Sequence, residues 1–515
     1  MKTFILAIIA MGLVSACQTP SVAPVAQMTL ITNVTVIDGT GAPSYPGSLR
    51  IHDGIILEVG DLTVGAGDTV IDGDGKILVP GFIDTHSHHD RGIFSNRSST
   101  GAASQGITTI VVGQDGGSNL PLEDFFIRLE ETPPAVNVAS FSGHGSVRVA
   151  VMGNDFHRVA TEKEITAMKK LVEADMAAGA LGLATGLEYE QGVRSTTDEV
   201  VELASVAGAA GGRYISHMRS EDTYFWEALE ELIDVGRRAS LPVQVSHIKL
   251  AKVSSWGETE RLIERLNAAR KAGVDVTADI YPYTYWSSTI RVFFPDLDYD
   301  NPQRAAYAVT EVSTPEGIYL AAWAPDPSLQ GKTLGEIAIL RGKEPSLVLM
   351  DMIVELEAWE QENGRGQLTD SNAVIAVSMT EPDIAAIMQW EHTNISSDGA
   401  DGGGHPRGYG AFPRVLGHYS RNLATVDLVT AIYKMTGLSA AHMGITTRGT
   451  IAPGKAADLV LLNPETVIDR ATIENPTTPA IGILKVWVNG ELVYANGETT
   501  GVFPGEVVRR EEVQK

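Results

Sequence analysis

A single cysteine, Cys17, stands among 515 residues. The chain beyond it therefore has no disulfide and no thiolate to hold a metal. Basic residues are scarce as well: 39 Lys and Arg face 64 Asp and Glu, a formal net charge of −25. So acidic a surface repels phosphate backbones and anionic lipid, which argues against nucleic acid or a membrane surface as a partner. The apolar run at the N-terminus, Phe4 to Val14, is too short to span a bilayer. What the chain does have is an ordinary globular balance, 43% hydrophobic and 20% charged, with ample material for a large core.

Lys2, the apolar run and the small residues ending at Ser15-Ala16-Cys17 read as an export signal. Leu13 to Cys17 resembles a bacterial lipoprotein cleavage box, which implies that Cys17 is lipidated and becomes the mature N-terminus. A plain secretory signal with an incidental cysteine is the other reading. Residues 18–27 (QTPSVAPVAQ) have the composition of a tether. By the same likeness, Gln18 after the cysteine implies sorting to the outer membrane. The expectation is an exported, periplasmic protein that meets the membrane only through its N-terminal lipid anchor.

From Thr29 to Asp74 the chain reads as short alternating strands broken by turns, and the same texture returns in ADLVLLNP and ILKVWVNGELVYANGE. One discontinuous β-sandwich built from both termini, residues 28–80 and 446–515, is expected. Between them, residues 81–445 alternate apolar β-branched runs with helical stretches. Thr161 to Glu164 forms a capping box ahead of ITAMKKLVEADMAAGA, and a second helical stretch ends at Gly273. Eight such runs, from ILVPGFID to HTNISSD, predict a parallel (β/α)8 TIM-type barrel, an α/β fold. A doubly wound sheet is the alternative; the count and the residues at the strand ends favour closure. About ninety residues, 289–381, interrupt the rhythm after strand seven and are too long for a simple loop. They read as an inserted subdomain, either a lid or structural decoration.

Chemistry in a barrel collects at the C-terminal strand ends. Strand one ends in Asp84-Thr85-His86-Ser87-His88, and alternate residues of an extended segment can turn both imidazoles to one ion. Strands five and six end in His217 and His247, and strand eight ends in Asp398. Four histidines and an aspartate at matching places on four strands predict a metal site.

These residues resemble the amidohydrolase superfamily. The likeness narrows with QGITTIVVGQDGGS, GALGLATGLEYEQG, YISHMRSE, VSHIKLA, DIYPYT, SSDGADGGGHPRGYGAFPRVLGHYSR and RGTIAPGKAADLVLLNPETV. Over essentially the whole chain beyond the signal, they resemble the N-acyl-D-amino-acid deacylases, or D-aminoacylases. There is one departure. Members commonly carry a cysteine ligand at the end of strand two, where this chain has Asp115, a carboxylate able to bridge two cations or complete one site; a turn-capping aspartate is the plainer reading. The lysine that many superfamily members carboxylate on strand four is absent from ALGLATGLEYE. Glu188 in that stretch reads as a support or a structural residue.

The resemblance implies a zinc centre of one or two divalent ions held by His86, His88, Asp115, His217, His247 and Asp398, with Asp398 moving the proton. It implies hydrolysis of an N-acyl-D-amino acid, with Lys249, Tyr283, Arg407 and, more weakly, Ser288 taking the substrate carboxylate. Arg407 could instead form a structural ion pair. His144, at the end of strand three, either contacts the reacting carbonyl or is a satisfied core histidine. The other seven histidines read as structural or surface residues. The partner is a small N-acyl amino acid or a dipeptide, and a homo-oligomer is among the options. A dipeptidase releasing a C-terminal D-residue, a cyclic-amide hydrolase resembling dihydroorotases and hydantoinases, and a barrel that only binds are the rival readings.

Overall fold

A computed structural model describes residues 28–294, 297–364 and 371–510. The expected lipoprotein signal with Cys17 and the expected tether lie outside the described residues. No helix among the described residues is long and apolar enough to cross a membrane.

Eight parallel strands carry the site. They are β1 (Phe82–Asp84), β2 (Ile107–Val112), β3 (Asn137–Ser140, resumed at Ser142–Gly143), β4 (Gly182–Gly186), β5 (Arg213–His217), β6 (Val243–Val245), β7 (Val276–Ile280) and β8 (Thr393–Ile395). Ladders join β1 to β3 and, beyond Phe141, join the remainder of β3 to β8. The ring closes between β8 and β1 through Asp398 N donating to His86 O at 2.8 Å and His88 N to Gly399 O at 2.8 Å. Every residue of β2 (ITTIVV) is buried, as expected for a strand covered on both faces.

The helices between the strands bury one stripe each. In Phe225–Ala239 the buried residues Phe225, Ala228, Leu229, Leu232, Ile233 and Gly236 recur at helical spacing and face the barrel. Burying a leucine such as Leu229 stabilises by about 1.5–3 kcal/mol. The helix Glu162–Ala178 opens with the capping box read from sequence: Thr161 N donates to Glu164 Oε2 at 2.7 Å and Glu164 N to Thr161 Oγ1 at 3.4 Å. It stops at Gly179, whose φ of 108° suits a residue without a side chain.

Both ends of the chain form one nine-stranded sheet. Within it Ile77–Pro80 pairs with Leu459–Leu462, so the run ILVPGFID divides at Gly81 between this sheet and the barrel. Its core includes Ile31, Val36, Leu49, Leu459 and Trp487. After β7 the chain forms a three-stranded antiparallel sheet, Tyr285–Thr289, Ala373–Val377 and Ile318–Leu320, with helices that include Leu334–Arg341 and Pro345–Asn363. Arg304 ties this insertion to the barrel, donating to Thr223 Oγ1 at 2.8 Å and Asp222 Oδ2 at 3.1 Å.

Candidate metal centre

The barrel brings all six expected ligands to one end. His86 and His88 follow β1, Asp115 follows the turn that ends β2, His217 closes β5, His247 lies two residues past β6 and Asp398 three past β8. The turn after β2 depends on Gly113, at φ 76°: a side chain there would meet Phe141 O at 2.3 Å. Asp115, His247 and Asp398 themselves have φ of 56°, 34° and 49°. Non-glycine residues in this left-handed region cost of order 1–3 kcal/mol each and persist where the surroundings hold them for a purpose.

Two overlapping ligand groups result, His86–His88–Asp115–Asp398 and Asp115–His217–His247, with the ligand atoms of each group within 4.8 Å of one another. His86 Nε2 lies 3.3 Å from Asp115 Oδ1 and 3.7 Å from Asp398 Oδ1. His88 Nε2 lies 3.1 Å from Asp115 Oδ2 and 3.3 Å from Asp398 Oδ1, and His247 Nε2 is 3.4 Å from Asp115 Oδ1. Ligands at zinc distances on a tetrahedron stand about 3.3 Å apart, so these separations fit a shared ion. Both ring nitrogens of His86, Asp115 Oδ1 and Asp398 Oδ1 are buried without a hydrogen-bond partner among the described residues. Buried polar atoms are rarely left so, and these are the atoms a cation would satisfy. The residues present fit a divalent ion, with Asp115 common to both groups.

Electrostatics agree. Burial pushes the Asp115 carboxyl up, but His86, His247 and His88 outweigh it and hold the group well below the carboxylate range. Burial likewise opposes ionisation of Asp398, and Arg407 is the strongest of the neighbours that hold it low.

The histidines are braced from behind. His217 turns Nδ1 toward His247 Nε2, 3.1 Å away, and Nε2 toward Glu188 Oε2 at 2.9 Å. Glu188, pushed up by burial to about 7, is thus a support for His217. Glu221, which the sequence reading missed, lies 3.0 Å from His247 Nδ1 and accepts from Lys249 Nζ at 2.6 and 2.7 Å. The only signal for it was its place in YISHMRSE, four residues past a ligand histidine. Carboxylates behind metal-facing histidines fix tautomer and ring orientation.

The expected substrate residues fare differently. Lys249, Ser288 and Arg407 line the cleft beside Asp398. Lys249 is already paired with Glu221, and Arg407 Nη1 with Asp398 Oδ2 at 2.8 Å. Tyr283 is corrected: it is buried outside the cleft, its hydroxyl donating to Asp469 Oδ2 at 3.3 Å. Pro282 turns the chain just after β7, and Tyr281 takes the cleft position instead, its ring 4.9 Å from the Arg407 guanidinium. His144 is also corrected as a substrate contact. It is fully buried with Nε2 2.8 Å from Glu199 Oε1, the same carboxylate that accepts from Arg148, and it does not line the cleft. His405, read as structural, accepts from Arg407 N at 3.0 Å and so helps place that arginine.

Residues 69–315 and 262–494 match the Amidohydrolase family. The D-aminoacylase of Alcaligenes xylosoxydans xylosoxydans is 37% identical over 507 residues, covering 93% of this chain and 97% of that protein. A solved D-aminoacylase, described for a binuclear metal centre with one-metal activation and second-metal attenuation, superposes with a TM-score of 0.81 at 35% identity, covering 94% of this chain and 99% of the other. The N-acyl-D-glutamate deacylase of Bordetella bronchiseptica, solved with zinc and a phosphonate mimic of the tetrahedral intermediate, gives 0.82 at 32% identity over 93% and 99%. By sequence, fold and ligand set together, this chain belongs to the amidohydrolase family, among the D-aminoacylases.

Proposed function

We infer that this protein is a zinc-dependent hydrolase that cleaves N-acyl-D-amino acids to a carboxylate and the free D-amino acid. The observation that carries the reading is the pair of ligand groups sharing Asp115, set beside the Arg407–Asp398 pair in one cleft. Relatives of nearly full length that bear the names D-aminoacylase and N-acyl-D-glutamate deacylase support the substrate class.

His86, His88, Asp115, His217 and His247 hold one or two divalent ions. Bound there, an ion polarises the amide carbonyl and acidifies water. Asp398 accepts the proton of the attacking water and delivers it to the leaving nitrogen, which an amide requires because an amine anion leaves poorly. Arg407 and the Tyr281 hydroxyl receive the substrate carboxylate, the guanidinium gripping it in bidentate fashion. That exchange also draws Arg407 away from Asp398. The carboxylate then gains proton affinity at the moment it must take a proton. Ser288 and the insertion close the cleft over the substrate, and Lys249, braced by Glu221, adds positive charge.

We further propose export and lipidation at Cys17, on the pattern of residues 1–17. With that anchor the enzyme would meet acylated amino acids or small peptides in the periplasm.

The test is chelation and restoration. Stripping the ion abolishes release of D-amino acid, and zinc restores it. The Asp398→Asn protein, loaded with zinc, keeps its folded state and loses about 10²–10⁴-fold in kcat. Full activity in the metal-free protein, or in the zinc-loaded Asp398→Asn protein, overturns these roles.

A further inference from the structure

A cavity of about 240 Å³ lies at the other end of the barrel, walled by the beginnings of β5 to β7 and the helix Gly437–Met443. Arg213 opens β5 and His217 closes it, so the cavity and the metal centre are separated by about 13 Å of strand. Nothing in the proposed reaction uses this space.

Two side chains in its wall have hydrogen-bonding capacity left over. Arg213 donates one long bond, from Nη1 to Ala441 O at 3.4 Å, and forms no ion pair among the described residues. A guanidinium has five N–H donors, so most have no protein partner among the described residues and, with Arg213 only half-buried, face the cavity and solvent. The guanidinium packs against Gly444, at φ 70°, where a side chain would meet Nη2 at 2.6 Å. Arg270, also in the wall, is by contrast satisfied by Asp275 Oδ1 at 2.6 Å and Val276 O at 2.7 Å. Asp275, a carboxylate that lines the same wall, is thus neutralised by Arg270. Burial brings Arg213 down to about 10, which leaves it a cation at neutral pH.

His442 supplies the opposite capacity. Asn394 Nδ2 donates to Thr85 Oγ1, so Asn394 Oδ1 is the acceptor that faces His442 Nδ1 at 2.7 Å. That fixes the proton on Nδ1 and leaves a lone pair on Nε2, which has no hydrogen bond among the described residues. Burial, with Arg213 next, lowers this imidazole to about 3, so it stays neutral.

We propose that this cavity binds a small oxyanion carrying one hydroxyl, of the hydrogenphosphate type, whose oxygens accept from Arg213 while its hydroxyl donates to His442 Nε2. A cation beside a neutral acceptor selects a ligand that is both anionic and a donor. Free phosphate carries that hydroxyl at neutral pH, whereas a phosphomonoester, with a second pKa of about 6, is mostly the dianion without it.

Thermal unfolding of the full-length, zinc-loaded protein tests this, with inorganic phosphate, methyl phosphate or sulfate added at constant ionic strength. Phosphate should raise the unfolding midpoint saturably. Sulfate, which has no proton to give at neutral pH, should need at least about tenfold more. Methyl phosphate, whose second pKa of about 6 leaves it mostly a dianion without a proton at neutral pH, should like sulfate respond more weakly than phosphate, and a methyl phosphate response equal to that of phosphate overturns the proposal. Arg213→Met should abolish the phosphate response with amide turnover unchanged, which separates this site from the metal centre. Should that variant fail to fold, Arg213→Lys, which keeps the charge without the fork, should weaken the response about tenfold. A phosphate response that survives Arg213→Met, sulfate equal to phosphate, or no response in the unmodified protein overturns the proposal and leaves a water-filled cavity.

Discussion

Arg407 Nη1 stands 2.8 Å from Asp398 Oδ2, so the residue meant to grip the substrate also holds the residue meant to move the proton. Arg407→Met should therefore do two things. The KM for an N-acyl-D-amino acid should rise by tenfold or more, since a charge-assisted pair contributes about 1.5–3 kcal/mol. The acid limb of the kcat/KM profile should also move to higher pH. The sign follows from the direction of the shift: burial raises Asp398 and Arg407 leads the groups that depress it. A depressed carboxylate stays ionised above its pKa, so removing the arginine raises that pKa and activity is lost sooner on acidification. A pH–rate profile with an unmoved acid limb contradicts this coupling.

Glu188 and Glu221 each brace a metal-facing histidine, at 2.9 Å from His217 Nε2 and 3.0 Å from His247 Nδ1. Glu188→Gln and Glu221→Gln should each weaken zinc affinity by about 10–100-fold, measured by competition with a chelating dye. Unchanged affinity in both would mean that the carboxylates only fill the cleft wall.

Tyr281 and Tyr283 differ by two residues and by environment. Tyr281→Phe removes a hydroxyl from the cleft wall beside Arg407, and should raise KM. Tyr283→Phe removes a bond to Asp469 outside the cleft, and should leave KM alone at a stability cost of about 1 kcal/mol. Steady-state kinetics and unfolding midpoints on the two variants separate the cases, and the reverse pattern restores Tyr283 to the site.

The strand ends were legible because metal ligands must converge, and convergence in a barrel leaves histidines at matching places on successive strands. Asp115 was legible only as a departure from a family pattern, since a lone aspartate after Gly-Gln can also cap a turn. The division of ILVPGFID at Gly81 was not, because a strand of the terminal sheet and a strand of the barrel share the same apolar composition. Tyr281 and Tyr283 have the same residue type two apart, and only the turn at Pro282 decides which reaches the cleft. His144 shows the converse. A histidine at a strand end looks chemical in sequence, but Glu199, 55 residues later, arrives behind it and engages its Nε2. Glu221 left only a weak signal, its place four residues past His217, because its partners His247 and Lys249 come from a different strand.

The most direct measurement is hydrolysis of paired N-acetyl-D- and N-acetyl-L-amino acids by the purified protein, with zinc content determined on the same sample. The account predicts release of free D-amino acids in proportion to bound zinc, with the L-series silent. Zinc-loaded protein that releases nothing from either series, or that prefers the L-series, would contradict it and move the substrate to dipeptides, cyclic amides or another acyl class.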